Sequence, residues 1–341
     1  MNDQDEVLAE GLDWARRGRG VALATLVATS GSAPRPVGAR LVVDSDGRFA
    51  GSVSSGCVEG EILATAEEVI VSGRHVLRQF GADPEGIWSV ALTCGGTIQI
   101  LVERLTQIDE LQALLDQACA GREAATLLAL DDGRRRPLDS AIADWDEPSR
   151  RAALAAARAG KPKLIETPRG AFFLEFWRPP PRLLIVGAVH IAQSLAPMAT
   201  LAGYDVTVID PRAAFADPAR FPGTRLARAW PEEVLAEGPP DARTALVALS
   251  HEARIDDPAL RAALNSPAFY VGALGSRASA VKRRARLRAQ GVSETALARL
   301  HGPVGLAIGA ASPAEIAIAI AAEMTEALRL APPALLEAAA E

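Results

Sequence analysis

The chain has 341 residues, 49% of them hydrophobic, which is enough for two domains that each build a core without disulfide or metal staples. A formal charge of -6, with no long basic run near the N-terminus, argues against a nucleic-acid groove, since phosphate backbones are bound by clustered Lys and Arg. Cys57, Cys94 and Cys119 form no CxxC pair and are odd in number, so neither a disulfide framework nor a structural zinc site is indicated.

The start, MNDQDEVLAE, lacks the basic region and apolar core of a signal peptide. No apolar run is long enough to span a bilayer; even AEIAIAIAAEMTEALRLA is interrupted by Glu315, Glu323 and Glu326. A reducing cytoplasm, with no membrane partner, is the expected setting.

Residues up to about Gly18 read as a helix with Val7, Leu8, Leu12 and Trp14 on roughly one side, followed by a buried strand from Val21 to Thr29. The segment SGSAPRPVGAR, residues 30 to 40, is a loop fixed by two prolines and two glycines, and it carries Arg35 and Arg40. A hairpin follows: Leu41 to Val43, a turn at Asp46-Gly47, and Phe49 onward. It leads into GSVSSGC, Gly51 to Cys57, after which VEGEILATAEEVI has helical spacing. A Ser/Gly-rich turn opening a helix presents free backbone N–H groups, so Ser55 and Gly56 belong to a candidate anion site. The same reading puts Cys57 in the first helical turn, where the dipole favours a thiolate.

Strands resume around His75 to Phe80, and Thr93-Cys94-Gly95-Gly96-Thr97 then precedes the alternating strand IQILVE. Gly95 and Gly96 beside a thiol leave the backbone open to close approach by a ligand. A helix from about Gln107 to Ala120, a strand near Ala125 to Leu130, a helix near Pro148 to Gly160 and two strands flanking Pro168 to Gly170 complete an α+β half. The turn Asp132-Gly133 and the polar run RRRPLDSAIADWDE read as surface without catalytic content. The stiff linker Arg178-Pro179-Pro180-Pro181 marks a boundary, giving an N-terminal α+β domain over 1–178 and a C-terminal domain over 182–330.

The second half alternates strand and helix in the manner of a Rossmann-like, doubly wound parallel sheet, so the fold class is α/β. Strands are expected at Leu183 to Val186, Asp205 to Ile209, weakly at Arg225 to Arg228, then at 244–249 and 269–274. A helix from Ser279 to Gln290 carries Lys282, Arg283, Arg284, Arg286 and Arg288, and reads as a solvated basic face. Ser312, Pro313 and Glu315 make an N-cap, a first helical position and a capping box for the last helix.

Loops after parallel strands gather at one edge, which here collects Gly187 and His190, then Asp210 and Arg212, then Ser250-His251-Glu252, then Gly275-Ser276-Arg277. Asp210 lies 23 positions past Gly187, where dinucleotide folds place the acid that holds a ribose hydroxyl. Val189, however, stands where the second glycine of the fingerprint lets backbone approach a pyrophosphate, and its methyl groups obstruct that approach. NAD(P) binding is therefore disfavoured. His190 and His251 admit either a ligand role or plain capping and loop roles, while Arg277 suits a phosphate or carboxylate. Cys57 and Cys94 are either small core hydrophobes or thiolates for a soft metal centre or a persulfide. No HExxH, nucleophile elbow or P-loop is present, so hydrolysis and phosphoryl transfer gain no support.

GSAPRPVGAR, GSVSSGC, TCGGT, LLIVGAVH, VTVIDPR, GALGSR and HGPVGLAIGAASPAEIA, in this order, resemble the XdhC/CoxI family of accessory proteins for xanthine dehydrogenase and carbon monoxide dehydrogenase. The resemblance covers about residues 20 to 103 and 182 to 328. It implies a chaperone that binds and protects the molybdenum cofactor, supports its sulfuration and inserts it into the target molybdoenzyme, and that is not itself an oxidoreductase. Its implied partners are a xanthine dehydrogenase-type enzyme, cofactor-synthesis proteins and a cysteine desulfurase. Cys57 or Cys94 would face the metal or the incoming sulfur. The cofactor's phosphate would lie on the Gly187 turn or at Arg277, helped by the loop holding Arg35 and Arg40. The family usually shows GAGH and GGC where this chain has GAVH, residues 187 to 190, and SGC, residues 55 to 57. Two other classes stay open: an NAD(P)-dependent oxidoreductase and a docking scaffold with a vestigial Rossmann domain. A homodimer is the default oligomer.

Overall fold

The structure, a computed structural model, describes residues 3–81, 92 and 95–330. They fall into two compact units, the first running to Pro179 and the second beginning at Pro180.

In the first unit, α1 (Asp3–Arg16) is followed by β1 (Val21–Ser30), β2 (Arg40–Asp44), β3 (Phe49–Gly51), α2 (Glu59–Ser72), β4 (Val76–Gly81) and β5 (Thr97–Arg104). These strands form an antiparallel sheet in the order β3-β2-β1-β5-β4. Helix α2 covers one face through Ile62, Ala66 and Val69, and α1 covers the other through Val7, Leu8 and Leu12. Strand β1 is buried on both sides as a result, and its run of apolar residues reads as continuous rather than alternating.

Then come α3 (Ile108–Cys119), β6 (Ala124–Ala129), β7 (Arg135–Pro137), α4 (Leu138–Ala141), α5 (Glu147–Arg158), β8 (Lys163–Thr167) and β9 (Gly170–Trp177). Their strands make a second antiparallel sheet, β7-β6-β9-β8. The polar run RRRPLDSAIADWDE is not surface throughout, because Arg135 in β7 is fully enclosed. Its guanidinium bonds Glu103 of β5 at 2.9 Å and Glu175 of β9 at 2.5 Å. Arg40 of β2 joins the same cluster, 3.6 Å from both Asp5 and Glu175 and over the Trp177 ring. The expectation that Arg40 assists a phosphate is corrected here. Its side chain is 7% exposed and its charge is committed to carboxylates of its own unit. Burial pushes Glu103 up, against the pull of Arg135. Glu175 is also opposed by burial, but two guanidiniums hold it below the usual carboxylate range.

The second unit contains β10 (Arg182–Val186), α6 (His190–Leu201), β11 (Asp205–Ile209), β12 (Arg225–Ala227), α7 (Pro231–Glu237), β13 (Thr244–Ala248), α8 (Ala253–Leu264), β14 (Tyr270–Ala273), α9 (Arg277–Ala289), α10 (Glu294–Ala298), β15 (Leu300–His301) and α11 (Pro313–Leu330). Every strand pair is parallel, in the order β12-β11-β10-β13-β14-β15. This is the Rossmann order, with its switch point between β10 and β13. Apolar clusters lie on both faces, one formed with α6 and α11 and the other with α7, α8 and α9. The α/β expectation holds, as does the capping of α11. Ser312 N–H donates to Glu315 at 2.9 Å and Glu315 N–H to the Ser312 hydroxyl at 3.3 Å. The two-residue strand β15 is too short to give a sequence signal, and it adds a sixth position to the sheet.

The basic helix is corrected. Arg283 in α9 is buried and donates to Leu274 O, Arg284 donates to the carbonyls of Leu297 and Leu300, and Arg286 pairs with the buried Asp257 at 2.6 Å. Three of the five cations fasten α9 to its own unit, leaving Lys282 exposed and Arg288 on Glu294. No helix among the described residues is long and apolar enough to cross a membrane.

Candidate functional site

At the switch point the chain is drawn tight. Gly187 has φ +105, and a Cβ there would lie 2.6 Å from the Ser250 backbone nitrogen. The glycine therefore lets the loops after β10 and β13 touch, and the close approach it permits is made by the chain itself. Asp210, at the end of β11, is fully buried. One carboxylate oxygen accepts from the Ala188 N–H at 2.8 Å and from Arg212 Nη2 at 2.7 Å. The other accepts from Arg212 N and Nε, both at 2.9 Å. A carboxylate has about four lone-pair sites, and all four are used. Burial opposes ionisation, but these bonds outweigh it and hold Asp210 below the ordinary carboxylate range. A ribose hydroxyl could be accepted only by displacing one of them, so spacing located the acid while the fold gave it another task. Arg212 is itself committed to Asp210 and Glu252, and it lies over the Phe215 ring. Val189 is the N-cap of α6 without a side-chain cap bond, and its side chain packs against the apolar cluster.

Of the four histidines, His190, His251 and His301 lie in the C-terminal unit, and His190 is exposed at the first position of α6. His251 is exposed at a loop tip and sits at φ +63, a left-handed conformation uncommon for a residue with a side chain. The backbone behind it is fixed: Ser250 Oγ donates to Asp256 at 2.6 Å and accepts from the Glu252 N–H at 3.1 Å. His301 has a structural setting, stacked on Tyr270 and bonded to Glu323 at 3.0 Å. Next along the edge, Ser276 caps α9 by accepting from the Ser279 N–H at 3.2 Å, and Arg277 is exposed at the first helical position. Behind this turn Arg283 stands 3.7 Å from Asp256. The sequence reading missed Asp256 and Arg283, and no local signal marks either, since they meet only once α8 and α9 pack together.

In the first unit the Ser52–Cys57 turn differs from expectation. Helix α2 begins at Glu59, so Cys57 precedes the helix instead of lying in its first turn. The anion in the turn is the chain's own Glu59. Its carboxylate accepts from the Ser52 hydroxyl at 2.6 Å, the Ser54 N–H at 2.9 Å, the Gly56 N–H at 2.7 Å and the Ser54 hydroxyl. Burial works against the charge, yet these donors pull the carboxyl from 4.5 to about 2. Ser55 is exposed with φ +57, and its N–H donates to Ser52 Oγ at 2.8 Å. Cys57 is half-buried and packs on the cluster that also holds Ala33, Phe80 and Leu92. The glutamate three residues after Gly56 is the sequence signal that could have exposed this arrangement, because an acid at a helix start meets the same free N–H groups that an added anion would.

Gly96 also serves the chain itself: a Cβ there would lie 2.0 Å from the Ser32 carbonyl oxygen, so the backbone approach expected of a ligand is made by the segment after β1. Gly95 is exposed with φ +72, and Cys94 lies outside the described residues. Arg35 is paired with Asp3 at 2.9 Å. Among the described residues no group of three or more His, Cys, Asp or Glu is placed to hold a metal ion.

A parallel sheet in Rossmann order with a closed glycine turn, and an α+β unit with a glutamate-gathered cysteine turn, define a two-part protein. Both units carry matches to XdhC-type family models. The family model described as the XdhC Rossmann domain matches residues 183–324, and the one described as the XdhC and CoxI family matches residues 14–81. The chain is 28% identical over 331 residues to the Escherichia coli protein named Molybdenum cofactor insertion chaperone PaoD, covering 95% of this chain and 88% of that one. It is 27% identical over 312 residues to a Bacillus subtilis protein named as a probable xanthine dehydrogenase subunit, covering 89% of this chain and 92% of that one. A crystal structure described as a xanthine dehydrogenase from Bacillus halodurans shares the fold, with a TM-score of 0.73 at 24% identity over 96% of each chain.

Proposed function

We propose that this chain is a carrier of the molybdenum cofactor that shields it, presents it for exchange of an oxo for a sulfido ligand, and delivers it to a xanthine dehydrogenase-type molybdoenzyme in the cytoplasm. The observation that carries this reading is the likeness, over nearly the whole chain, to the relative named as a molybdenum cofactor insertion chaperone. The relative whose name refers to xanthine dehydrogenase supports the class of target. The geometry supports a carrier over a nicotinamide enzyme, because Asp210 has no acceptor to spare and the Gly187 turn is closed by Ser250. Each unit also offers one element that the cargo's chemistry requires. The half-buried thiol of Cys57, with Cys94 as the second candidate, suits a soft metal or its sulfur. Helix starts at the carboxyl edge of the parallel sheet suit the phosphate. Cofactor-synthesis proteins and a cysteine desulfurase would supply cofactor and sulfur, and the carrier would act as a homodimer.

The test is what a gently purified sample holds. Oxidation should yield a fluorescent pterin product, and the sample should activate cofactor-free dehydrogenase. Saturable nicotinamide binding in a sample without pterin would overturn the reading in favour of an oxidoreductase. Unchanged cofactor affinity and unchanged activation in both Cys57→Ala and Cys94→Ala would remove the thiols from it.

A further inference from the structure

Two long helices open at the carboxyl edge of the parallel sheet beside glycine turns, α6 after Gly187 and α9 after Gly275, and they differ in what stands behind them. At α6 the Ala188 N–H is taken by Asp210, and that buried carboxylate would face any anion placed on the turn. Val189 adds a branched side chain at the N-cap. At α9 the corresponding group is a cation. Arg283 reaches back along its helix, as helical side chains do, and its side chain is 6% exposed. Its Nη2 donates to Leu274 O at 3.0 Å, while Nε and Nη1 have no hydrogen-bond partner among the described residues. Buried donors are nearly always satisfied, so two spare ones on a single guanidinium call for an acceptor.

The position of those donors says where the acceptor would sit. Nη1 lies 3.6 Å from where a Cβ on Gly275 would be. Gly275 has φ +150, and a side chain there would also meet the Ser279 hydroxyl at 2.9 Å, so the residue keeps this space open. The nearest acid, Asp256, is 3.7 Å from Nη2, too far for a hydrogen bond. Burial pushes its carboxyl up, against the hydrogen bonds from Ser250 and the charge of Arg283. At the rim Arg277 is exposed, with no ion pair among the described residues. A helix start with its positive dipole end, an exposed arginine in front and an unsatisfied buried arginine behind is a dianion's environment.

We infer that Gly275-Ser276-Arg277, backed by Arg283, is a phosphomonoester site, and that the Gly187 turn is not. The inference rests on the carrier reading only for what bears the phosphate, namely the pterin end of the cargo.

The experiment is an amide NMR titration of the full chain with inorganic phosphate, against chloride at matched ionic strength. Saturable shifts are expected at residues 275–278. Arg277→Gln, a change at an exposed side chain, should weaken the binding about tenfold, as loss of one charge-assisted hydrogen bond implies. Gly275→Ala should remove it. Shifts confined to residues 188–192, or an affinity unchanged in Arg277→Gln, would overturn the assignment. Pterin content measured in the same samples separates the two proposals. Phosphate binding at 275–278 in a protein that carries no pterin keeps the site and loses the carrier reading. Pterin carried as tightly by Arg277→Gln as by the unaltered chain, with phosphate affinity also unchanged, does the reverse.

Discussion

Glu59→Gln removes the charge that gathers the Ser52–Cys57 turn while keeping the length of the side chain. Glutamine can still accept on its oxygen, but its NH2 group must then face donors that now point at the second carboxylate oxygen, the Ser54 hydroxyl and the Gly56 N–H. The hydroxyl can rotate away; the amide cannot. A carboxyl moved from 4.5 to about 2 holds a preference for its charged form of about 3 kcal/mol. Solvent reaches part of this group, and screening reduces that to roughly 1–2 kcal/mol of folding stability. Urea unfolding of the N-terminal unit should show a loss of that size at neutral pH, with faster hydrogen exchange at the Ser54 and Gly56 amides. Cys57 should be modified several-fold faster by a thiol reagent, read by mass spectrometry on its peptide. The pH dependence has a defined sign. The folded value lies below the unfolded one, so the contribution is complete above about pH 4.5 and is lost as the pH falls toward 2. The glutamine variant should lack that dependence. Unchanged exchange at both amides and an unchanged Cys57 modification rate would refute the idea that Glu59 holds the turn.

Two further substitutions probe the buried charges. Asp210→Ala strips the Ala188 N–H of its acceptor and leaves Arg212 with Glu252 alone, and breaking such a pair should cost about 3 kcal/mol in the unfolding of the C-terminal unit. A loss below about 1 kcal/mol would show that the turn is held by other contacts. Arg135→Met leaves Glu103 and Glu175 facing each other without their shared cation, with an expected cost of about 3–5 kcal/mol. Adding Glu175→Gln to that variant should recover part of the loss, and no recovery would argue against a charge network.

Much of the fold was legible because its signals are local. The run Leu183 to Val186 is apolar throughout and Asp205 to Ile209 is rich in β-branched residues, as buried strands of a parallel sheet are, and Ser312, Pro313 and Glu315 carry their capping chemistry within one turn. The strands β10 to β14 could be placed nearly to the residue for that reason. Roles that depend on a distant partner were not legible. Arg40 and Arg135 look like surface cations in the sequence, yet a buried pair of glutamates from β5 and β9 fixes them inside.

The sequence by itself determined which residues gather at the sheet edge, since parallel connectivity sends every loop after a strand to one side, and Gly187, Asp210, Ser250 and Gly275 could only end there. Tertiary structure decided what those residues do. Asp210 became a clamp because all four of its acceptor positions meet donors of the same unit, and Arg283 became a buried cation because α9 packs against α8. Periodicity and turn chemistry act over a few residues and leave a record in the sequence. The satisfaction of a buried charge is settled by groups many positions away, and it becomes readable only when the chain has brought them together.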